Sequence, residues 1–577
     1  MLYPIRNQYR QWLDLSGFWD FQPDLEDRGQ KEGWHTGLGH PRLIAVPASW
    51  NDQFEDLRDF LGPAWYSRQF GTPWGWENSR IFLRFNSVNY LAQVWLNGQE
   101  LGRHEGGHLP FIFDITENIK PLDNTLVLRV DGRLAGDRVP PGNVTGSDLD
   151  FFPSHSENYP QTQFDFFPYC GIQRPVLLYC QPKIAVDDIT VLPELVGSHA
   201  RLWVSAGSSD ADIRATLKTN EGELFEAGTG EVRIDVRDPR KWSPGDPFLY
   251  DLTVELLYQQ RVVDAYSLPI GIRTIAVDGD QLLLNNVPIY LQGFGRHEDF
   301  PVSGRGLNSP VIVKDYALMR WIGANSFRTS HYPYSEQMMA LADRLGYLVI
   351  DETPAVGLFF NTDGYDRRLA LCKQFTREMI LRDKNHPSVI AWSLANEPHS
   401  TRDAAKPFFR ELYDQAKSLD PSRPITLVSC MGVAEESFEF LDFMCLNRYF
   451  GWYQESAQID RGTDFLSAEL DLLHETYRKP LILTEFGADA LPGHHAHPPE
   501  MFSEEFQADF LEAYIAVLRS KSYVVGEHVW NMCDFKTSQG ITRMGGLNHK
   551  GVFTRDRRPK LAAHRLRKIW KTTKDEG

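Results

Sequence analysis

After Gly271-Ile272-Arg273 the chain changes rhythm, and that change restricts the possible folds more than any other feature. Eight short apolar runs begin near Tyr290, Ala324, Tyr347, Ser388, Pro424, Asp442, Pro480 and Tyr523. Helical stretches fall between them, for example at 311–321, 335–345 and 371–382. Apolar runs of this length read as parallel strands buried on both faces, and parallel strands need crossovers of a dozen or more residues. Eight such βα units in about 300 residues predict a (β/α)8 TIM barrel over 275–577.

The preceding residues have a different texture. Up to about residue 180 the chain carries short alternating strands between turns, such as Ser79-Arg80-Ile81-Phe82-Leu83-Arg84-Phe85 and Ala92-Gln93-Val94-Trp95-Leu96-Asn97-Gly98, the latter closing on a hairpin signal. No long amphipathic helix interrupts them. Residues 1–180 are therefore expected to form a β-sandwich of the jelly-roll type. Residues 181–274 are again strands, including Tyr250-Asp251-Leu252-Thr253-Val254-Glu255-Leu256, and their number suits an immunoglobulin-like β-sandwich. At 577 residues the chain is too long for one core, so a multidomain protein agrees with its length.

Composition removes several functions. A formal net charge of −17 argues against a nucleic-acid partner. No apolar run reaches the ~18 residues of a transmembrane helix, so no membrane partner is expected. The N-terminal residues lack the apolar stretch of a signal peptide, from which a cytoplasmic location is expected. Six cysteines without a Cys-x-x-Cys pair make neither a disulfide framework nor a zinc site. Asn143-Val144-Thr145 fits a glycosylation sequon, as one tripeptide in a chain this long does by chance.

Two of the apolar runs end in a carboxylate. Glu397 closes Val389-Ile390-Ala391-Trp392-Ser393-Leu394-Ala395-Asn396-Glu397, and Glu485 closes Pro480-Leu481-Ile482-Leu483-Thr484-Glu485. A charge at the C-terminal end of a barrel strand is too costly as core filler and lies on the catalytic face. By the strand count they end strands four and seven. Two such glutamates are the minimum equipment for cleaving a glycosidic bond. The other strand ends are polar too: Arg296-His297-Glu298, Arg328-Thr329-Ser330-His331-Tyr332, Asp351-Glu352, Asn447-Arg448-Tyr449 and Trp530-Asn531-Met532-Cys533-Asp534. Arg296, Arg328, Asp351 and Glu352 are read as an ion-pair network under the site floor. His494 and His497 sit in a Pro/Gly-rich loop with no carboxylate or Cys to complete a ligand set, so neither a metal nor another cofactor is expected.

These strings together resemble glycoside hydrolase family 2, and within it the β-glucuronidases. The resemblance runs nearly end to end and rests on Asn325-Ser326-Phe327-Arg328-Thr329-Ser330-His331-Tyr332-Pro333, Arg382-Asp383-Lys384-Asn385-His386-Pro387, Asn396-Glu397-Pro398, Asn447-Arg448-Tyr449, Thr484-Glu485-Phe486-Gly487 and Gly551-Val552-Phe553-Thr554-Arg555. It implies a retaining mechanism, with Glu397 as general acid and base and Glu485 as nucleophile. It implies that Asn396 contacts the sugar 2-OH, that Tyr449 hydrogen-bonds the nucleophile, and that Trp530 offers an apolar face to the ring. Asp165, His331 and Tyr453 match positions that contact the sugar. Asn548-His549-Lys550 resembles the Asn-x-Lys motif of uronate-specific members, so Asn548 and Lys550 would bind the C6 carboxylate. An acidic protein would thereby attract its acidic substrate locally. β-Glucuronide small molecules or glycans are the expected partners, and family habit implies a homo-oligomer.

Two departures are visible. Leu547 is inserted between the expected glycine pair and Asn548, which puts Arg543 five residues upstream of that Asn and out of the family register. The segment 356–371 after strand three is short, which implies an open mouth and bulky aglycones. A β-galacturonidase needs the same carboxylate contact, a neutral-sugar family 2 hydrolase does not need Lys550, and a non-catalytic carbohydrate-binding protein would have dropped one glutamate.

Overall fold

The structure is a computed structural model and describes residues 1–142, 162, 164–207, 212–219, 222–360 and 363–572. The Asn143-Val144-Thr145 tripeptide lies outside the described residues. The first sandwich packs a six-stranded antiparallel sheet on a four-stranded one. Alternation along each strand sends Trp19, Phe21, Tyr66, Leu83, Phe85, Val94 and Leu128 into the space between them, where they are buried. The second sandwich sets a three-stranded sheet (Ile189–Val196, His199–Ala206, Glu231–Arg237) against a four-stranded one (Gly222–Thr229, Asp212–Thr219, Tyr250–Tyr258, Arg261–Ile270). Three strands on four is the immunoglobulin-like arrangement. Residues 1–10 lie along this second sandwich: Arg10 ion-pairs with the buried Asp264, and the Tyr266 hydroxyl donates to the Tyr3 carbonyl at 2.8 Å.

The barrel closes from eight parallel strands: β1 Leu291–Gly295, β2 Ser326–Arg328, β3 Leu348–Glu352, β4 Val389–Asn396, β5 Ile425–Ser429, β6 Met444–Asn447, β7 Leu481–Glu485 and β8 Val524–Val529. A short hairpin follows, β9 Phe535–Lys536 against β10 Leu547–Asn548. Helices observed at Ser309–Ile322 and Tyr365–Asp383 extend those expected, and Glu336–Leu345 is one residue shorter because Ser335 is its N-cap. The helix Tyr365–Asp383 starts six residues earlier than read from sequence, so the segment after β3 is shorter still. The lower lumen is sealed by Leu291, Leu348, Ile350, Val428, Cys445 and Ile482, with Trp242, Leu282 and Leu284 packed beneath. A filled lumen leaves only the C-terminal face open for a site. Among the described residues no helix is long and apolar enough to cross a membrane.

The first sandwich reaches over that face. Phe166 bridges Thr537, and the Phe167 amide donates to the Lys536 carbonyl at 2.9 Å. This holds the loop carrying Asp165 against the β9–β10 hairpin.

Candidate active site

β4 and β7 bring Glu397 and Glu485 into electrostatic contact at the top of the barrel. A register shift precedes Asn396 in β4, and Glu397 itself sits at φ 46°, a left-handed conformation unusual for a non-glycine residue. Its amide donates to the Val428 carbonyl at 2.8 Å, which fixes the turn. At β7 the close approach of β8 explains the glycine in Thr-Glu-Phe-Gly: a Cβ on Gly487 would lie 2.1 Å from the Trp530 carbonyl oxygen.

The two glutamates have different partners. Glu485 accepts from the Arg328 guanidinium at 2.5 Å and from the Tyr449 hydroxyl at 2.7 Å. Glu397 accepts one amide, from Asn447 Nδ2 at 2.8 Å, and Thr484 Oγ1 sets the direction of that amide by donating to Asn447 Oδ1 at 2.9 Å. Burial raises Glu397 above the ordinary carboxylate range. Burial and the Glu397 charge push Glu485 up to about 8, against the pull of Arg328 and Tyr449. Such a pair titrates as a unit and retains one proton at neutral pH. A permanent cation and a phenol favour the anion at Glu485, so the proton rests on Glu397.

Arg328 is more than a floor residue. It spans Glu485 and Glu352, donating to Glu352 at 2.8 Å. Glu352, which burial would raise, is held below its usual range by Arg328, His331 and Ser393. His331 places Nδ1 2.8 Å from Glu352 and Nε2 3.5 Å from Glu485. Burial lowers His331 to about 4, so the ring is neutral at neutral pH. Arg296 and Asp351 stand apart from this network. Arg296 pairs with Asp315 at 2.6 Å, and Asp351 accepts from Thr329 at 3.0 Å, because their side chains leave the strands in other directions. Trp530 is 4% exposed and stacks on His331 with ring centroids 4.9 Å apart. Asn396 Oδ1 accepts from Arg328 at 3.3 Å and Asn447 at 3.2 Å, which turns its Nδ2 away from both.

A second cluster lies beside the first. The Lys550 ammonium is ringed by Tyr449, Trp452 and Tyr453, with centroids 5.8, 5.2 and 4.7 Å away. It donates to the Tyr453 hydroxyl at 2.9 Å and ion-pairs with Asp489. Tyr453, 52% exposed, also accepts from Arg543 at 3.1 Å. Arg543 and Asn548 both donate to Asp165, each at 2.6 Å. The inserted Leu547 therefore displaces neither cation. Gly545 and Gly546 take φ 66° and 68°, and Leu547 is absorbed into β10. Arg543, doubtful from its register, joins the cluster.

All ten residues singled out from sequence fall in these two clusters. Arg328, Asn447, Asp489 and Arg543 belong with them and were not singled out as binding or catalytic residues. In the His494–His497 loop His495 ion-pairs with Glu505 at 2.8 Å. Among the described residues no three His, Cys, Asp or Glu side chains gather as a metal would require.

A closed parallel barrel whose rim holds two buried glutamates, one of them braced by a cation and a phenol, defines a glycoside-cleaving enzyme. Family models agree along the length of the chain. Residues 13–182 match the sugar binding domain of glycosyl hydrolases family 2, residues 184–273 match glycosyl hydrolases family 2, and residues 275–574 match that family's TIM barrel domain. A β-glucuronidase of Paenibacillus borealis is 42% identical over 99% of this chain and 98% of its own. The dog β-glucuronidase is 39% identical over 100% of this chain and 93% of its own. The crystal structure of Ruminococcus gnavus β-glucuronidase superposes with a TM-score of 0.94 at 39% identity, covering 99% of both chains. The chain belongs to glycosyl hydrolase family 2, and it is a glycosidase.

Proposed function

We propose that this enzyme releases β-D-glucuronic acid from β-glucuronide conjugates by a retaining double displacement. The observation that carries the reading is the caged Lys550 ammonium beside the glutamate pair, with Arg543 and Asn548 alongside. A uronate differs from a neutral hexose only by a C6 carboxylate, and a fixed ammonium, a guanidinium and an amide are what would recognise it. The relatives support the same reading, since the Ruminococcus gnavus enzyme was solved with a C6-substituted uronic isofagomine.

In this mechanism Glu397 protonates the leaving oxygen while Glu485 attacks C1, forming a covalent glycosyl-enzyme. Glu397 then deprotonates the water that releases the sugar. Arg328 and the Tyr449 hydroxyl favour the anion of Glu485 and aim it. Asn396 Nδ2 would donate to the sugar 2-OH, a bond that tightens in the transition state. Trp530, His331, Asp165 and Tyr453 would complete the sugar subsite.

The aglycone side is open in this reading. The described part of the segment after β3 is strapped down on β4: the Gly357 amide donates to the Asn396 carbonyl at 3.0 Å and the His399 amide to the Leu358 carbonyl at 2.7 Å. Side-by-side hydrolysis of chromogenic β-glucuronide, β-galacturonide and β-glucoside tests the assignment. Glucuronide is expected to exceed both others by orders of magnitude, and equal rates on the glucoside would overturn it.

A further inference from the structure

Lys550 is in an unusual position for a residue that must carry charge. Its side chain is 1% exposed, and Arg543, another cation, shares its Tyr453 partner. A buried ammonium without a counter-ion loses its proton by several pH units. Among the described residues one anion touches it: Asp489, four residues past Glu485 in the loop after β7, itself 4% exposed on its side chain. Asp489 is fixed from the other side, its Oδ1 accepting the His549 amide at 2.8 Å. The remaining groups facing Lys550 are the rings of Tyr449, Trp452 and Tyr453, and Asn548, whose Oδ1 accepts the Lys550 amide at 2.9 Å. Trp452 and Asn548 carry no charge.

We propose that Asp489 is the positioning residue of uronate specificity. It serves as counter-ion to Lys550 in the empty site and holds the ammonium protonated and pointed at the place the substrate carboxylate will take. The proposal rests on the uronate reading above and extends it to a residue that does not touch substrate. Asp489 has two opposing effects. It maintains the charge that attracts the uronate, and it repels the same uronate once that arrives. Burial alone would lower Lys550, and Tyr453 and Asp489 together turn the balance so that it is raised instead. When the uronate is bound, its own carboxylate takes over as counter-ion, so the need for Asp489 is confined to the free enzyme.

Asp489→Asn keeps the shape and removes the charge; with its Oδ1 still accepting the His549 amide, its Nδ2 faces Lys550, so the ammonium loses both its counter-ion and its acceptor there. In this variant the alkaline limb of kcat/KM on a β-glucuronide should move acidward by about two pH units or more, which at about pH 9 is roughly a hundredfold loss. The limb of kcat should stay where it is, because kcat/KM reports the free enzyme and kcat the complex. Below the shifted limb, KM for the glucuronide should equal or fall below that of the native enzyme. β-Glucoside hydrolysis should show none of this. The double variant Asp489→Asn with Lys550→Arg should regain the native alkaline limb, since a guanidinium is not deprotonated in this range. A uniform loss on both sugars at every pH would reduce Asp489 to a structural residue and overturn the proposal.

If Asp489→Asn does not fold, the native enzyme gives the answer. The ratio of glucuronate to glucose inhibition constants should be flat from about pH 6 to about pH 9. A midpoint below about pH 8 in that ratio would mean that Asp489 does not hold Lys550 charged. Failure of the underlying reading would look different: native enzyme would then not prefer the glucuronide at any pH.

Discussion

Around Glu397 and Glu485 the hydrogen bonds and ion pairs among the described residues come from the end of a barrel strand or within a few residues of one. Arg328 ends β2, Glu352 ends β3, Asn447 ends β6, and Tyr449 follows it by two positions. In the Lys550 cluster the contacts come from loops and a hairpin, and Asp165, which holds Arg543 and Asn548, comes from another domain. The first cluster is braced by the hydrogen-bonded ladder of the barrel itself. The second depends on a hairpin, two left-handed glycines and a sandwich loop agreeing on one position. Chemistry common to a family belongs on the first kind of support. The choice of sugar belongs on the second, where a few residues can change without disturbing the barrel.

The contrast breaks first at the glutamates. Glu485→Ala should lose on the order of 10^4-fold or more in kcat on every sugar tested. Glu397→Ala should lose about 10^2- to 10^4-fold, least on substrates with good leaving groups. Azide should rescue both, giving the β-glycosyl azide from Glu397→Ala and the α-anomer from Glu485→Ala. A mechanism-based fluorosugar that labels a residue other than Glu485 would undo the assignment.

Lys550→Ala sharpens the contrast, because its effect should depend on the sugar. Losing one member of a desolvated charge pair costs about 2–5 kcal/mol, or roughly 30- to 5,000-fold in kcat/KM on a β-glucuronide. Activity on a β-glucoside should stay level or rise. Equal losses on both would mean that the loop cluster supports the pocket without reading the sugar.

Smaller effects should follow from the proton shared by the glutamates. With Glu485 raised to about 8, kcat/KM of the native enzyme should fall above about pH 8, when the pair loses its last proton and Glu397 has none to donate. Asn447→Ala removes a hydrogen bond to the charged form of Glu397. It should cost about tenfold in rate and move that limb to higher pH, since the contact it deletes lowers the Glu397 pKa. A limb moving to lower pH would mean that Asn447 bonds the neutral acid instead. The smallest effect is expected at the mouth: kcat/KM for a bulky triterpenoid glucuronide should lie within about tenfold of that for a small aryl glucuronide. A loss of several orders of magnitude would show that something outside the segment after β3 closes the pocket.

The sequence made the first cluster legible and the second only in part, for a physical reason. Apolar runs mark strands, and the residue that ends a strand is known once the strand is known. All eight strands begin within two residues of where the pattern puts them. What the pattern does not carry is which strand ends meet. Arg328 read as floor support, yet it touches Glu485 from 157 positions away. Asp489 read as one loop acid among many. A signal was present: a lysine destined for burial needs an anion nearby, and Asp489 is the first acid after the nucleophile's strand. The inserted Leu547 argued for a displaced Arg543, but an insertion in a hairpin can be taken up by the turn, and here the glycines take it up.

Asp165 shows what this construction means for inheritance. It lies in the first sandwich, yet it fixes Arg543 and Asn548 of the barrel. The cluster proposed to select the sugar is thus split across a domain border. Recombination that exchanged whole domains between distant relatives would keep the glutamates intact and sever this half-site. The three domains of such an enzyme should therefore travel together through descent, although each has a core of its own.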